Sequence, residues 1–364
     1  MAFGEVLSIA GGEIVLSGFV QAFPVESIFG SFFLEPVELT VAMTHYDQMS
    51  DLVTGKVQAE GIRLRCLDFK VEEIFYRFEL FREWEVSEMS MATYISLASR
   101  GDTTMVGLPV FPSRVFRHSS FYVRSGEISA PEKLAGKRIG VPEWAMTAAI
   151  YARALLTHEW GVPLQAVEWF QAGVNQAGRN EKVPLALPEG VRLTQVQDRS
   201  LDEMLLSGEI DAIISAHAPT SFERKDPRIE RLFPDTLEME MEYAKRTGVI
   251  PIMHLMVIKR ETAESYPWVA RNLFTAFDES RARSVARLAV APAGPASRVP
   301  LLWIDEALKK TKEAFGGLLF PYGVEENRQT LEAFVKWSYE QGVAHRLLSV
   351  EELFPSQVGT GFKI

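Results

Sequence analysis

The stretch Gly107–Val123, which reads GLPVFPSRVFRHSSFYV, carries the cationic side chains best suited to hold a small anion. Arg114, Arg117 and His118 lie in a short link between two apolar, strand-like runs, and Pro112 keeps that link from continuing as a helix. A guanidinium group between hydrophobic walls binds a carboxylate through paired N–H bonds. We therefore predict Arg114 as the first carboxylate ligand and Arg117 as a second candidate. The alternative is an ordinary turn with solvated arginines.

Three histidines are candidates for acid–base chemistry, because histidine titrates near neutral pH. His45 follows the first strand of the α/β region, His118 lies in the link, and His217 follows a strand at 211–215. Edges where strands end are also where α/β proteins gather their ligands. Each of the three could equally be a structural, hydrogen-bonded histidine. The remaining histidines are predicted to be a core residue (His254) and surface residues (His158 and His345).

A helix that begins after Val141 offers a second anion site. Its free backbone N–H groups near 145–147 and its positive dipole end suit a carboxylate. Glu143 could bind a hydroxyl group, or it could simply be a favourable charge at a helix start. Thr147 and Ser90 could bind substrate or cap helices, and Trp144 could stack on an aromatic ring or pack in the core.

Metal and redox motifs are weak in this sequence. The candidate histidines are widely separated and form no recognisable ligand spacing, so we expect a metal-free site. The single cysteine, Cys66, cannot form an internal disulfide, and its place in an apolar run predicts a buried, inert thiol.

Strands and helices alternate along the chain and must position these side chains. Predicted strands at 37–43, 62–69, 86–89 and 106–111 are separated by helical patterns, and Ser90 is a suitable N-cap for the helix that ends near Gly101. A second set of strands covers 120–123, 137–141, 167–170, 191–196 and 211–215. Ser200 and Glu203 form a capping box in this second unit. The alternation predicts two α/β units with mostly parallel sheets.

Length and charge exclude several function classes. A chain of 364 residues suits two domains rather than one core. The net charge of −10, without a basic block, argues against nucleic acid and anionic membrane surfaces as partners. No apolar stretch is long enough to span a bilayer.

The first 36 residues bear on localisation. No Lys or Arg precedes Lys56, and Glu5, Glu13 and Glu26 interrupt the apolar positions. A secretory signal would need a basic start and an uninterrupted apolar stretch, so we predict a cytoplasmic protein. The segment itself could be a hairpin-like extension, a flexible arm or the result of a start site placed too early.

The order of elements resembles the type-II periplasmic binding protein fold. The similar stretches are APEKLAGKRIGV at 130–141, LDEMLLSGEIDAIIS at 201–215 and a returning strand near Ile252. The resemblance implies an α/β fold of two lobes, joined by two crossovers, with ligand bound between them. It places lobe 1 at 37–115 and 252–364 and lobe 2 at 116–251, with residues 1–36 as an extension.

More narrowly, the chain is similar to the 4,5-dihydroxyphthalate decarboxylase family. The matching stretches are GLPVFPSRVFRHSSFYV, EMSMATYISLASRGD from Glu88, GKRIGVPEWAMTAAIYAR from Gly136 and PYGVEENRQTLEAF from Pro321. The resemblance implies non-oxidative decarboxylation of an aromatic dicarboxylate, such as 4,5-dihydroxyphthalate, to protocatechuate. It implies a small aromatic carboxylate as the ligand and no organic cofactor, and it leaves a homo-oligomer open.

Such a reaction needs a held carboxylate, an acid for the ring carbon that loses CO2, and support for a phenolate para to it. The acid is expected among His118, His45 and His217. The alternative function is a non-catalytic solute-binding protein for a small aromatic or carboxylated ligand. Another enzyme of this fold, acting in pyrimidine or thiamin precursor synthesis, is a third.

Overall fold

The computed structural model describes residues 8–10, 13–15, 23–24, 35–290 and 299–354, the first three ranges by their backbone alone. The strands are β1 Ser8–Ala10, β2 Glu13–Val15, β3 Phe23–Pro24, β4 Val37–Met43, β5 Ile62–Asp68, β6 Val86–Ser90, β7 Met105–Arg114, β8 Phe121–Arg124, β9 Arg138–Val141, β10 Glu168–Gln171, β11 Arg192–Gln195, β12 Ala212–Ile214, β13 Ile229–Arg231 and β14 Ile252–Lys259. The helices are α1 Ser50–Val53, α2 Val71–Phe81, α3 Met91–Ser99, α4 Thr147–Ala154, α5 Leu201–Ser207, α6 Thr220–Glu223, α7 Leu237–Thr247, α8 Arg260–Ser265, α9 Val269–Val290, α10 Ile304–Ala314 and α11 Arg328–Glu340.

Two mixed sheets form the framework. The first has the strand order β5-β4-β6-β14-β7 and the second the order β11-β10-β9-β12-β8-β13. In each sheet the strands at one side pair in parallel, and the strands at the other side pair antiparallel. We call the first sheet with its helices lobe 1 and the second sheet with its helices lobe 2. The predicted α/β architecture of two lobes is confirmed.

The chain crosses between the two sheets twice. It leaves lobe 1 after β7, enters lobe 2 at β8, and returns through α7 into β14. Strand β14 is buried along nearly its whole length, which explains its almost continuous apolar sequence IMHLMVIK. It lies between β6 and β7 and runs antiparallel to both, because the chain re-enters the sheet from the other lobe. The domain boundaries at 115/116 and 251/252 stay a prediction.

Strand β7 is longer than predicted. The sequence places Pro112 and Arg114 in a link, whereas both lie in the strand, which continues to Arg114. The register with β14 is irregular: Ser113 pairs with His254, and the next pair is Leu108 with Met256. Pro112 falls in this irregular stretch, where a missing N–H costs no regular ladder bond.

Local capping follows the sequence. Ser90 caps α3 through its Oγ, which accepts from the Thr93 N–H, and Ser200 forms the predicted capping box with Glu203.

Strands β1 and β2 pair antiparallel, as the hairpin interpretation predicts. The other residues before position 35 lie outside the described residues. Within the described ranges, no helix is both long and apolar enough to cross a membrane.

Candidate active site

A cavity of about 290 Å³ lies between the two lobes and collects most of the polar candidates. Two larger cavities of about 670 Å³ carry none of the predicted site residues, one beside α9 and one beside α8. Both lobes and the first crossover contribute side chains to the cleft. Those that matter below are Glu72, Phe75, Ser90, Arg117, Glu143, Thr147, Arg179, Lys182, His217 and His254.

Arg117 is the cation of the cleft that lacks a carboxylate partner among the described residues. Its Nη2 lies 2.8 Å from the sulfur of Met253, and its Nε is buried without a hydrogen-bond partner in that part of the chain. Burial lowers the pKa of Arg117 to about 10, so the group remains charged at neutral pH. A desolvated guanidinium with open donors is a strong site for a carboxylate.

Arg114 is placed differently from its predicted role as the first carboxylate ligand. Its guanidinium donates to Ile250 O (3.2 Å), Pro321 O (2.9 Å) and Asn327 Oδ1 (2.5 Å), and it does not line the cleft. It is also stacked near the aromatic rings of Phe111, Phe315 and Phe320. Arg114 therefore joins the end of β7 to the second crossover and to the 321–327 loop.

His118 is also outside the cleft, in contrast to its predicted role as an acid. Its ring makes edge contacts with Trp160 and Tyr243, and its Nδ1 has no hydrogen bond within the described chain. Burial lowers the pKa of His118 to about 4. The imidazole is therefore neutral at neutral pH and is not in the acidic imidazolium form. Its neighbourhood is an aromatic cluster, which the link sequence alone does not reveal.

The two other predicted acids differ in position. His45 is exposed, contacts Ser50 Oγ through Nε2 (3.1 Å) and does not line the cleft. His217 lines the cleft, with 73% of its side chain exposed, and its Nε2 lies 3.4 Å from Glu72 Oε1 of α2. The His217–Glu72 pair joins lobe 2 to lobe 1, so His217 is placed to hold the two lobes together at the protein surface.

Ser90 and Thr147 meet inside the cleft, as their candidacy for substrate binding requires. Their hydroxyl oxygens lie 3.0 Å apart, and Thr147 Oγ1 also accepts from the Ala92 N–H at 3.1 Å. Thr147 thus bonds the start of α3 and does not cap its own helix, whose N-cap is Met146.

Glu143 is buried beside the cleft and is already paired. Its Oε1 accepts from Arg179 Nε at 2.6 Å and lies 3.8 Å from Lys182 Nζ. Both cations belong to the polar loop between β10 and β11 and line the cleft. Their contacts with Glu143 hold that loop in place.

The predicted anion site at the helix start is taken up in part by the chain itself. The backbone N–H groups of Trp144 and Ala145 donate to the Glu181 carboxylate at 2.6 and 3.0 Å. Trp144 does not line the cleft: its ring is fully buried, its Nε1 donates to Gln341 O at 2.7 Å, and the Arg153 guanidinium covers its face. A stacking role on the substrate therefore does not fit Trp144.

A hydrogen-bonded group of three side chains lies where the sequence predicts only core. His254 Nδ1 is 2.7 Å from Glu88 Oε1, and Tyr46 donates its O–H to the same oxygen at 2.6 Å. The other oxygen, Oε2, accepts from the Thr44 N–H at 2.9 Å. Glu88 is fully buried, whereas His254 is part-exposed and lines the cleft. Desolvation and the Glu88 carboxylate raise the pKa of Tyr46 well above its ordinary value.

A sequence signal for this group did exist. Glu88 interrupts the buried strand β6, and His254 interrupts the buried strand β14. Polar residues in otherwise buried strands are more informative than polar residues in loops, because burying them requires partners. No group of three or more His, Cys, Asp or Glu side chains in the described ranges is arranged to hold a metal ion.

No family model matches the chain. Among solved structures, the periplasmic aliphatic sulphonate binding protein SsuA from Escherichia coli is 12% identical, with a TM-score of 0.49 over 88% of this chain and 97% of that one. The desulfurization enzyme DSZB is 16% identical, with a TM-score of 0.49 over the same shares of the two chains.

Two curated relatives are closer in sequence. The 4,5-dihydroxyphthalate decarboxylase of Comamonas testosteroni is 34% identical over 333 residues, which cover 91% of this chain and 100% of the relative. The protein of the same name from Pseudomonas putida is 35% identical over 204 residues, which cover 56% of this chain and 79% of the relative. The chain belongs to the 4,5-dihydroxyphthalate decarboxylase family.

Proposed function

We propose that this protein removes one carboxyl group from 4,5-dihydroxyphthalate and releases CO2 and protocatechuate. The observation that carries the proposal is the full-length similarity to a relative of that name, at 34% identity over 91% of the chain. The charge and size of the cleft support it. A cavity of about 290 Å³ lies at the small end of ligand sites and suits a single-ring compound.

Arg117 is the group that we assign to the carboxylate retained in the product. It is charged, desolvated and free of any carboxylate partner in the described chain, so a ligand carboxylate would supply the missing counter-charge. Bidentate binding would fix the ring in one orientation. The side chains of Phe75 and Met253 form an apolar part of the cleft lining.

Two cations of lobe 2, Arg179 and Lys182, are suited to the catechol end of the ring. Arg179 and Lys182 both line the cleft beside Glu143, and a cationic group next to a ring hydroxyl stabilises its phenolate. A phenolate para to the departing carboxylate supplies electron density to the carbon that must accept a proton. The paired hydroxyl groups of Ser90 and Thr147 can hydrogen-bond a second ring substituent.

The reaction involves no net oxidation, because the electron pair of the broken C–C bond stays in the ring and a proton replaces CO2. The test is to incubate the purified chain with 4,5-dihydroxyphthalate and to follow CO2 and protocatechuate. Phthalate, which lacks both hydroxyl groups, is the matched control substrate, and we expect no turnover of it. Tight binding of 4,5-dihydroxyphthalate without product would contradict the proposal.

A cytoplasmic location and assembly into a homo-oligomer stay predictions for this family member. Cell fractionation and light scattering of the purified chain test them separately. Neither outcome alters the assignment of the cleft.

A further inference from the structure

We propose that His254 is the general acid that protonates the ring carbon losing CO2, and that Glu88 and Tyr46 position it. This inference rests on the proposed function and adds the identity of the proton donor. Of the candidates predicted from the sequence, His118 is buried and neutral and His45 lies outside the cleft. His217 lines the cleft, but 73% of its side chain is exposed and its ring contacts Glu72. His254 lines the cleft with part of its ring exposed.

The hydrogen bonds determine which ring nitrogen faces the substrate. Tyr46 donates to Glu88 Oε1, so this oxygen is an acceptor, and His254 Nδ1 at 2.7 Å from it must carry the donated proton. The burial that raises the pKa of Tyr46 keeps its phenol protonated and donating. His254 Nε2 has no hydrogen-bond partner in residues 35–290 and 299–354, and it is the nitrogen left for the cleft.

The strands hold this ring beside the proposed carboxylate ligand. His254 is the direct partner of Ser90 across the β14–β6 pair, so their side chains lie on the same face of the sheet. The preceding residue, Met253, is the one whose sulfur contacts the Arg117 guanidinium. Phe75 packs edge-on against the imidazole, with ring centroids 5.0 Å apart, and restricts its rotation. Arg117, the Ser90–Thr147 hydroxyl pair and His254 therefore line the same cleft.

The buried Glu88 carboxylate accepts from His254 Nδ1–H and fixes the orientation of the ring, since other donors hold both of its oxygens in place. In the reaction, Nε2–H of the imidazolium donates its proton to the ring carbon that bears the departing carboxylate, and the phenolate electrons form the new C–H bond. The C–C bond to the carboxylate then breaks, its electron pair returns to the ring, and CO2 leaves. Solvent returns one proton to Nε2 for the next turnover.

The first experiment compares His254→Gln, His254→Ala and the native chain. Gln keeps a polar side chain that can bond Glu88 but removes the acid. We expect kcat to fall about 10²–10⁴-fold in His254→Gln while the Kd for 4,5-dihydroxyphthalate changes only a few-fold. Imidazole added to the buffer should restore part of the activity of His254→Ala. His45→Gln is the matched control, since His45 is exposed outside the cleft, and it should behave like the native chain.

The second experiment tests the positioning role of Glu88 and Tyr46. Glu88→Gln and Tyr46→Phe should lower kcat, and added imidazole should not restore either variant. The double variant Glu88→Gln/His254→Gln should lose little beyond His254→Gln alone, because both changes disable the same step. Additive losses would indicate a purely structural role for Glu88. If Glu88→Gln fails to fold, Tyr46→Phe with its own double variant carries this test.

The outcomes separate the inference from the proposed function. Turnover by the native chain with kcat of His254→Gln within about twofold of native overturns the acid role and leaves the decarboxylation standing. No turnover by the native chain overturns the proposed function, and the acid role falls with it.

Discussion

The hydroxyl oxygens of Ser90 and Thr147 lie 3.0 Å apart, with Ser90 at the end of β6 in lobe 1 and Thr147 at the first residue of α4 in lobe 2. This contact joins the two lobes within the cleft lining. Thr147 Oγ1 also satisfies the buried Ala92 N–H, so a single side chain joins three features: the cleft, the start of α3 and the start of α4.

Thr147→Val should therefore weaken the junction of the lobes. Valine keeps the shape of the side chain but leaves the Ala92 N–H without its acceptor. An unsatisfied buried donor costs about 1–3 kcal/mol, so the free energy of unfolding should fall by that amount in urea titrations. The control is Thr311→Val, because the Thr311 hydroxyl bonds only the exposed backbone of its own helix. Equal stability of the two variants would contradict the assigned contact.

Arg117→Lys should weaken substrate binding. Lysine keeps the charge but loses the planar pair of donors, and charged hydrogen bonds are worth about 1.5–3 kcal/mol. The Kd for 4,5-dihydroxyphthalate should rise roughly 10- to 100-fold by calorimetry. Arg192→Lys is the control, because Arg192 is exposed and pairs only loosely with Glu168. Native affinity in Arg117→Lys would remove Arg117 from the site.

Arg114→Lys is expected to lower stability and to leave the Kd for 4,5-dihydroxyphthalate nearly unchanged. The Arg114 guanidinium serves three acceptors on the second crossover and the 321–327 loop, none of them in the cleft. Lysine cannot reach all three, so the free energy of unfolding should fall by about 1.5–3 kcal/mol. The Kd of the folded variant should stay within a few-fold of native. A large loss of affinity without loss of stability would restore Arg114 to the carboxylate site.

The contrast between Arg114 and Arg117 shows where sequence reasoning stops. The alternation of strands and helices predicts both lobes, because hydrophobic periodicity is a local property. The choice between two arginines three residues apart depends on how far β7 extends and on a loop near 321–327 that closes over Arg114. Neither the length of β7 nor the position of that loop is determined by the residues next to the two arginines. His254 and Glu88 are far apart in the chain, and only the β14–β6 pairing brings them together.

Lobe closure should depend on the exposed His217–Glu72 pair. These side chains lie 3.4 Å apart across the cleft, with 73% and 56% of their surfaces exposed. This contact is an ion pair only when His217 is protonated, and exposed ion pairs contribute about 0.2–1 kcal/mol. Below about pH 6, Glu72→Gln should therefore raise the Kd at most about fivefold at low salt. The difference should vanish near 1 M salt, where the Debye length is about 3 Å. X-ray scattering with and without substrate should show a smaller radius of gyration in the closed complex. A salt-independent effect of Glu72→Gln would exclude an electrostatic contact.

His118 should control stability at acid pH and should leave catalysis unaffected. Its folded-state pKa is lowered by burial from 6.5 to about 4. Between these values the unfolded chain binds a proton that the folded chain does not, so stability falls as the pH falls from 6.5 towards 4. A shift of this size corresponds to about 3 kcal/mol at the acid end of the window.

The test is His118→Phe, which keeps an aromatic ring against Trp160 and Tyr243 and removes the titrating group. The carboxyl groups that face this histidine, Glu159 and Glu240, remain in both proteins and largely cancel in the comparison. Urea unfolding at several pH values should give similar free energies for the two proteins near pH 7. At pH 4 the variant should be the more stable one, by up to about 3 kcal/mol. Its kcat at pH 7 should match that of the native chain, and a loss of about 10²-fold or more would return His118 to the catalytic step.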